Sequence, residues 1–212
     1  MQKSSYIGSK NNKMRGHTLK VYCLVEVKDK GKVIYSKQFE SHSFVAQWLQ
    51  LLYGMFGQID LSILGNNYPQ QLWQGAAPPY AYPTPFSLNA GSGNQSYGIQ
   101  VGSGTTKSIN DTGLDSLIAN GSSAGQLSYG SVSVTSPSIN TSTNQGNVST
   151  SRSFTNNSGG SVTVSEVGVI FNTSASDGNT HPTFVIHDIL SSPITLANGQ
   201  VLTVTYIFSI QT

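Results

Sequence analysis

Three runs in the last third of the chain decide its fold: Ser161-Val-Thr-Val-Ser-Glu-Val-Gly-Val-Ile-Phe171, Thr183-Phe-Val-Ile-His-Asp-Ile-Leu190 and Gln200-Val-Leu-Thr-Val-Thr-Tyr-Ile-Phe-Ser-Ile210. Each run is rich in β-branched residues, and Gly, Asn, Ser and Pro lie between them. This combination is typical of β-strands joined by turns. Asn198-Gly199, just before the last run, suits a hairpin turn because both residues tolerate a positive φ. The sequence therefore predicts a mainly-β chain with a mostly antiparallel scaffold.

The composition is unusual in its low charge. Charged residues make up 9% of the 212 residues, against roughly 25% in an average soluble protein. Ser, Thr, Asn, Gln and Gly supply the surface instead, and the aromatic residues spread along the chain argue against disorder. An uncharged polar surface suits a protein packed among neighbours, because its burial does not require ions to be desolvated.

The few charges are unevenly distributed. Residues 1–40 contain nine of the eleven Lys and Arg together with three acids, for a net charge of +6, and residues 41–212 contain two bases and six acids, for −4. Such an asymmetry can indicate a nucleic acid, a membrane surface or an acidic protein partner. A solvated basic hairpin and tail would produce the same pattern.

Residues 1–17 have no periodicity and are predicted to form an extended basic N-terminal arm, followed by a single domain over residues 18–212. An arm can dock on a neighbouring subunit by adding a strand to its sheet, and it could also contact nucleic acid. The candidate contact residues are Tyr6, Ile7, Lys10, Lys13 and Arg15. No signal peptide or transmembrane segment is expected, and the single cysteine, Cys23, is predicted to be a small buried hydrophobe.

Residues 18–40 predict a two-stranded hairpin. Apolar residues alternate with others on both sides of a turn at residues 28–31, which is the pattern of half-buried strands. In the first strand the alternating apolar residues are Leu19, Val21, Cys23, Val25 and Val27.

Residues 43–56 predict one short helix. Apolar residues recur at helical spacing, Ser41 or Ser43 suits the N-cap, and Gly54 or Gly57 would end the helix. Its second side is also apolar, which predicts burial on both sides, either between the sheet and a second subunit or at the end of its own sandwich. The candidate interface residues are Phe44, Trp48, Leu52 and Met55.

Residues 58–98 predict a long loop, because prolines exclude both a helix and a central strand. Long loops in compact domains are uncommon and often functional. Exposed aromatic residues here would form a contact surface for protein or sugar, whereas residues folded back on the body would only contribute packing. The candidates are Trp73, Tyr80, Tyr82 and Phe86. The main sheets are expected in residues 99–212.

No constellation for catalysis or metal binding is evident, and neither an enzyme nor a cofactor is predicted. Among the histidines only His187 is adjacent to an acid, Asp188, and neighbours on a strand point to opposite faces. Gly102-Ser-Gly-Thr-Thr-Lys-Ser108 imitates a phosphate-binding loop but lacks the glycine before Lys107 and the required spacing. No Cys and His cluster has the spacing of a zinc site.

The order of motifs from Ile99 onward resembles a β-sandwich module found in structural proteins of tailed phages and some archaeal viruses. The resemblance is carried by Ile99-Gln-Val-Gly-Ser-Gly-Thr-Thr106, Asp111, Leu114, Arg152-Ser-Phe-Thr-Asn-Asn-Ser-Gly159, Val164-Ser-Glu-Val-Gly168, His187-Asp-Ile-Leu190 and Asn198-Gly-Gln-Val-Leu-Thr-Val-Thr-Tyr206. In that module a basic residue often precedes the aspartate of the penultimate strand. This chain has His187 there, so the resemblance does not by itself imply an ion pair with Glu166.

The resemblance implies an antiparallel, jelly-roll-like β-sandwich in a component of a virus particle. With its basic arm and uncharged surface, the chain is similar to oligomeric adaptors that join a tail or spike to the virion body, and the expected homo-oligomer is a ring. The expected partners are further copies of the chain and other virion proteins. A capsid-decoration or fibre protein that binds a receptor or carbohydrate is the alternative.

Overall fold

A computed structural model of the chain describes residues 18–45, 86–174 and 180–211. In these residues the regular structure consists of strands and three isolated β-bridges, one of which involves Phe44. Their bounds are β1 Thr18–Asp29, β2 Lys32–Ser41, β3 Phe86–Ser87, β4 Gly98–Gly102, β5 Ser128–Tyr129, β6 Ser133–Val134, β7 Ser138–Asn140, β8 Gln145–Thr155, β9 Val162–Ser174, β10 Thr180–Leu196 and β11 Val201–Gln211. The prediction of a mainly-β chain is confirmed.

The larger sheet is built around the last strand. Its order is β2-β1-β11-β8, and β5, β6 and β7 pair one after another along the outer edge of β8. All of these pairings are antiparallel. The predicted β1–β2 hairpin is confirmed, and its turn places Lys30 and Gly31 at φ values of 46° and 80°, which suits the right-handed twist of the two strands.

The smaller sheet is centred on β9, which pairs with β10 on one side and with β3 and β4 on the other. Its pairings are antiparallel as well. The register of β9 and β10 shifts between Ile189 and Ile194, opposite Glu166 and Val164. A shift of this kind changes which side chains face the core, and residues 165–170 of β9 are accordingly buried on both faces.

Both sheets contribute side chains to one hydrophobic core. The larger sheet supplies Val21, Val25, Phe154, Leu202 and Val204, and the smaller sheet supplies Ile99, Val101, Val167, Val169, Val185 and Leu196. Cys23 is fully buried in the same cluster, as its alternation with Val21 and Val25 predicts. This shared core supports the sandwich part of the fold prediction.

The turn at Asn198-Gly199 has a different role from the predicted one. Gly199 has a φ of 85° and Gln200 donates to the Ala197 carbonyl at 3.1 Å, so the turn itself is present. It does not join paired strands, however, because β10 belongs to the smaller sheet and β11 to the larger one. The turn therefore carries the chain from one sheet to the other.

The predicted helix does not begin at residue 43. Phe44 forms an antiparallel bridge with Ile186, the His187 amide donates to the Ser43 carbonyl at 3.0 Å, and the Val45 amide donates to the Val185 carbonyl at 3.2 Å. These groups extend the edge of β10, so they are not available for the first turn of a helix. Residues 46–56 of that prediction lie outside the described residues.

The predicted loop over residues 58–98 ends earlier than expected. Phe86 and Ser87 pair with Thr173 and Asn172 of β9, and Gly98 is already in β4. The backbone of residues 90–94 is also tied to the larger sheet, since Gly93 donates to the Tyr129 carbonyl at 2.9 Å. Residues 58–85 lie outside the described part. Among the described residues, no helix is long and apolar enough to span a membrane.

Candidate functional site

A buried histidine lies between two carboxyl groups on the outer face of the smaller sheet. His187 is 1% exposed. Its Nδ1 is 2.7 Å from Asp111 Oδ2, and its Nε2 is 2.7 Å from Glu166 Oε2. Both ring nitrogens are thus within hydrogen-bond distance of a carboxyl oxygen. His187 and Glu166 thus form a pair that the resemblance alone did not imply.

Glu166 is completely buried, and its carboxyl oxygens form hydrogen bonds with other residues of the chain. Oε1 accepts from the Gly104 amide at 2.9 Å and the Ser116 amide at 2.7 Å, while Oε2 accepts from the Asp115 amide at 3.0 Å in addition to His187. A buried carboxylate is tolerated only when hydrogen bonds replace its hydration. Here four donors do so, and three of them come from the backbone of the segment between β4 and β5.

This segment, residues 103–117, is called the carboxylate loop below. Its base is closed by the Ser103 amide, which donates to the Ser116 carbonyl at 2.8 Å. Within it, the Ser108 amide donates to Asp111 Oδ2 at 2.6 Å, so the carboxyl group that contacts His187 also shapes a turn. The loop is therefore attached to the sheet at both of the carboxylates that contact His187.

The glycines of Gly102-Ser-Gly104 are explained by the close approach of the loop to Glu166. A Cβ on Gly102 would lie 2.2 Å from Glu166 Oε1 and 2.6 Å from the Ser116 carbonyl oxygen, and one on Gly104 would lie 2.7 Å from Oε1. All three distances are far below van der Waals contact. The segment that imitates a phosphate-binding loop thus cradles an anion, but the anion is the chain's own carboxylate.

The chemistry open to this cluster is restricted by its geometry. A general acid or base must reach a proton on a bound molecule, yet both nitrogens of His187 are engaged and only Asp111 is partly exposed. The two carboxylates contact opposite sides of the ring, so they do not converge on a common point. Within the described ranges, no three His, Cys, Asp or Glu side chains form a group that could hold a metal ion.

Asp188 lies on the opposite face of β10, inside the core. Its Oδ2 accepts from the Tyr206 hydroxyl at 3.0 Å, whereas His187 faces outward. Burial raises the pKa of the Tyr206 phenol and the pKa of the Cys23 thiol, so both groups are neutral. A buried neutral thiol is a poor nucleophile. The expectation that His187 and Asp188 point to opposite faces is met.

Arg152 in β8 is a buried cation that binds backbone carbonyl groups. It is 1% exposed, and the π-face of Tyr129 lies 4.7 Å from its guanidinium carbon. Nε donates to the Gly130 carbonyl at 2.8 Å and Nη1 to the Ile99 carbonyl at 3.0 Å. Further acceptors are the carbonyls of Gly91, Asn94 and Tyr97. Burial lowers the pKa of Arg152. Through these hydrogen bonds, the Arg152 side chain joins β8 to the segment that precedes β4.

Tyr129 beside Arg152 makes folding sensitive to alkaline pH. Burial raises its pKa from 10.0 to about 12, so between these values the unfolded chain releases a proton that the folded chain keeps. This contribution to stability is fully present below pH 10 and is lost as the pH rises through about 12. At about 1.4 kcal/mol per unit, it amounts to about 2–3 kcal/mol.

Tyr129→Phe is expected to remove this contribution. Between about pH 8 and about pH 11, wild type should lose about 1–2 kcal/mol in its free energy of unfolding relative to the variant. Urea titrations at both pH values measure it. At the lower pH the variant should be about 1 kcal/mol less stable, because its ring cannot donate to the Ile118 carbonyl, which is 2.6 Å from the hydroxyl. A difference that stays constant with pH would contradict the argument.

An apolar groove opens at one end of the larger sheet. It has a volume of about 250 Å³ and is lined by Pro137, Ile139, Gly146, Asn147, Val148, Phe208 and Ile210. Ile139 and Ile210 are large apolar residues that are 76% and 56% exposed. An exposed apolar groove with no charged side chain in its lining is typical of a contact surface for another protein segment.

The structure describes only two of the predicted contact residues. Phe44 is partly buried against the main core, so it packs within the chain. Phe86 is in β3, where its backbone pairs with Thr173, instead of in a loop. The other candidates lie outside the described residues: Tyr6, Ile7, Lys10, Lys13, Arg15, Trp48, Leu52, Met55, Trp73, Tyr80 and Tyr82.

Sequence reasoning did not predict the two features that the structure reveals. Glu166 and His187 each interrupt an apolar strand, and a charged or titratable residue in a strand buried on both faces was an available signal for a partner. The groove gave no such signal, because Ile139 and Val148 are isolated in a segment rich in Ser, Thr and Asn.

Neither the carboxylate loop nor the apolar groove can be assigned by likeness to a characterised protein. Their roles must be argued from contacts and exposure. No protein-family model, no curated protein and no solved structure matches this chain.

Proposed function

We propose that this chain is an oligomeric structural protein that acts through protein–protein contacts, as an adaptor or connector between the tail or spike and the body of a virus particle. In this proposal the two antiparallel sheets form a jelly-roll-like β-sandwich. The single observation that carries the proposal is the exposed apolar groove of Ile139, Val148, Phe208 and Ile210 on a chain with very few charges. Surfaces of this kind are stable when another chain covers them.

The buried cluster supports a structural role. Every oxygen of Glu166 and both nitrogens of His187 are used in contacts within the chain. The cluster fastens the carboxylate loop to the smaller sheet and leaves no group of Glu166 or His187 directed at solvent. A rigid body of this kind can present a constant surface to its neighbours. The viral setting is supported by the sequence resemblance.

The test is the assembly state of the full chain. We expect sedimentation velocity to show a closed oligomer in which the proportion of monomer falls as the concentration rises. Because the groove is apolar, the oligomer should persist in about 1 M salt, where the Debye length is about 3 Å. An oligomer that dissociates steeply with salt would indicate that the basic residues, not the groove, hold the subunits together.

A monomer at all concentrations would contradict the proposal in its homo-oligomeric form. Mass spectrometry of purified virus particles from cells that carry the gene provides the test of the setting. Peptides from this chain, at a constant ratio to those of the other particle proteins, are the expected result. Their absence from intact particles would contradict the viral part of the proposal.

A further inference from the structure

We infer that the apolar groove is the binding site for residues 1–17 of a second copy of this chain, with Tyr6 and Ile7 as the side chains that occupy it. This inference rests on the proposed oligomeric function and specifies its partner surface. It follows from where the groove lies in the sheet, from the position of residue 18, to which residues 1–17 are attached, and from the chemistry of the groove and of this segment.

The groove continues the core-facing side of the larger sheet beyond the part that the smaller sheet covers. Along β11, Leu202, Val204 and Tyr206 are completely buried, and Phe208 and Ile210 follow on the same face with increasing exposure. Alternate residues of a strand share a face. The inner side of the larger sheet therefore ends in an apolar surface that the described residues leave open.

The register of three strands gives this surface the shape of a groove. Ile139 of β7 pairs with Gly146 of β8, which in turn pairs with Ile210 of β11. Gly146 has no side chain, so the side chains of Ile139 and Ile210 flank an open space above it. The next pair on the same face, Val148 and Phe208, continues the apolar surface. The apolar groove is one strand wide, which suits a single extended segment.

The described chain begins, at residue 18, beside the apolar groove. Thr18 pairs with Gln211, and Leu19 pairs with Ile210, which is a wall of the groove. The ladder between β1 and β11 extends to the last described residue of β11, so residue 18, to which residues 1–17 are attached, lies at the same end of the larger sheet as the apolar groove.

The length and chemistry of this segment match a neighbour's groove. Tyr6 lies twelve positions before Thr18, and an extended chain of twelve residues spans about 40 Å, which reaches an adjacent subunit. Apart from the separate Met1 and Met14, Tyr6 and Ile7 are the large apolar residues of a segment that is otherwise polar and basic. The groove has no charged lining residue to oppose them, and the cations on either side can remain in solvent.

The edge of β7 offers further contacts to an added strand. Among the described residues β7 pairs with β8 alone, and all three of its residues, Ser138–Asn140, are exposed. A strand with one unpaired edge can accept a second chain through backbone hydrogen bonds. At about 250 Å³ the groove is also smaller than most sites for drug-sized ligands, which favours individual side chains of a polypeptide.

Two defective variants and their mixture test the inference. One lacks residues 1–17 and keeps the groove. The other keeps residues 1–17 and carries Ile139→Lys with Ile210→Lys, which place positive charge in the path of a basic segment. The matched control is Ile34→Lys, because Ile34 is as exposed as Ile210, at 56%, and lies on β2. Circular dichroism verifies that each variant is folded.

We expect wild type and Ile34→Lys to form oligomers, and each defective variant alone to remain monomeric in sedimentation velocity. Their equimolar mixture should form heterodimers, because one partner supplies the intact segment and the other the intact groove. A labelled peptide of residues 1–17 should also bind the shortened variant, and bind its Ile139→Lys/Ile210→Lys form at least about tenfold more weakly.

Each other outcome has a distinct meaning. If the defective variants still form oligomers, the inference is overturned and the proposed oligomeric function stands. If the mixture stays monomeric while the peptide binds the groove, the segment occupies the groove of its own chain and the second copy is excluded. If wild type itself is monomeric, the proposed function fails first. Peptide that binds the variant and unmodified grooves equally overturns the site.

Discussion

Replacement of Arg152 by alanine is expected to lower the free energy of unfolding by about 4 kcal/mol, the range found when a buried charged group that others depend on is removed. The guanidinium donates to the carbonyls of Gly130 and Ile99 at 2.8 and 3.0 Å and to three others before β4. Each buried carbonyl left without a donor costs about 1–3 kcal/mol, less where water enters. Urea denaturation followed by circular dichroism measures the loss.

Two further variants separate the role of Arg152 from that of charge alone. Arg152→Lys keeps the cation but offers three donors from one atom, so it should lose about 2 kcal/mol. Lys32→Ala removes an exposed cation from β2 and should change stability by no more than about 0.5 kcal/mol. If Arg152→Ala were as stable as Lys32→Ala, the guanidinium would not hold the segment before β4 in place.

Replacement of Glu166 is the second change with a large expected effect. Glu166→Ala leaves the amides of Gly104, Asp115 and Ser116 without an acceptor and His187 without one of its two carboxylates, and should cost about 4 kcal/mol. Glu166→Gln can satisfy the donors on only one side of its amide and should cost about 2 kcal/mol. Urea denaturation measures both.

Hydrogen exchange distinguishes the proposed role of Glu166 from a general loss of stability. In Glu166→Gln the amides of Gly104, Asp115 and Ser116 should exchange faster under native conditions than those of β11, because the carboxylate loop opens locally. Asp115→Asn is the control, since its side chain contacts only the Thr106 hydroxyl, at 2.9 Å, among the described residues. If hydrogen exchange became faster by the same factor throughout the chain, Glu166 would not specifically hold the carboxylate loop in place.

The long strands could be predicted from the sequence because their apolar residues form runs. Val162–Ser174, Thr180–Leu196 and Val201–Gln211 contain the three runs that decide the fold, and the β1–β2 hairpin follows from strict alternation. The short strand β7 lies in a segment rich in Ser, Thr and Asn, and pairing along β8 determines it more than its own residues do. Phe44 shows the same effect, because the open edge of β10 overrides a helical pattern.

The candidate site was harder to predict because it depends on contacts between distant residues. Asp111, Glu166 and His187 each occur in the motifs that carry the resemblance, yet nothing in their spacing shows that they meet at 2.7 Å. The register shift in β9 and the glycines at 102 and 104 bring them together, and both act through backbone geometry. The groove depends on Gly146 being placed between two isoleucines, which only the strand register determines.

The pairing of β1 with β11 joins residue 18 to residue 211, and this has a consequence for synthesis. Strands that are far apart in sequence pair slowly, because a long loop must close before any contact forms. While the ribosome makes the rest of the polypeptide, the first hairpin has no neighbour for one edge and no cover for its apolar side, and an isolated hairpin is barely stable in water. β1 thus emerges long before the strand that completes its pairing, and until then it is exposed to aggregation with other nascent chains.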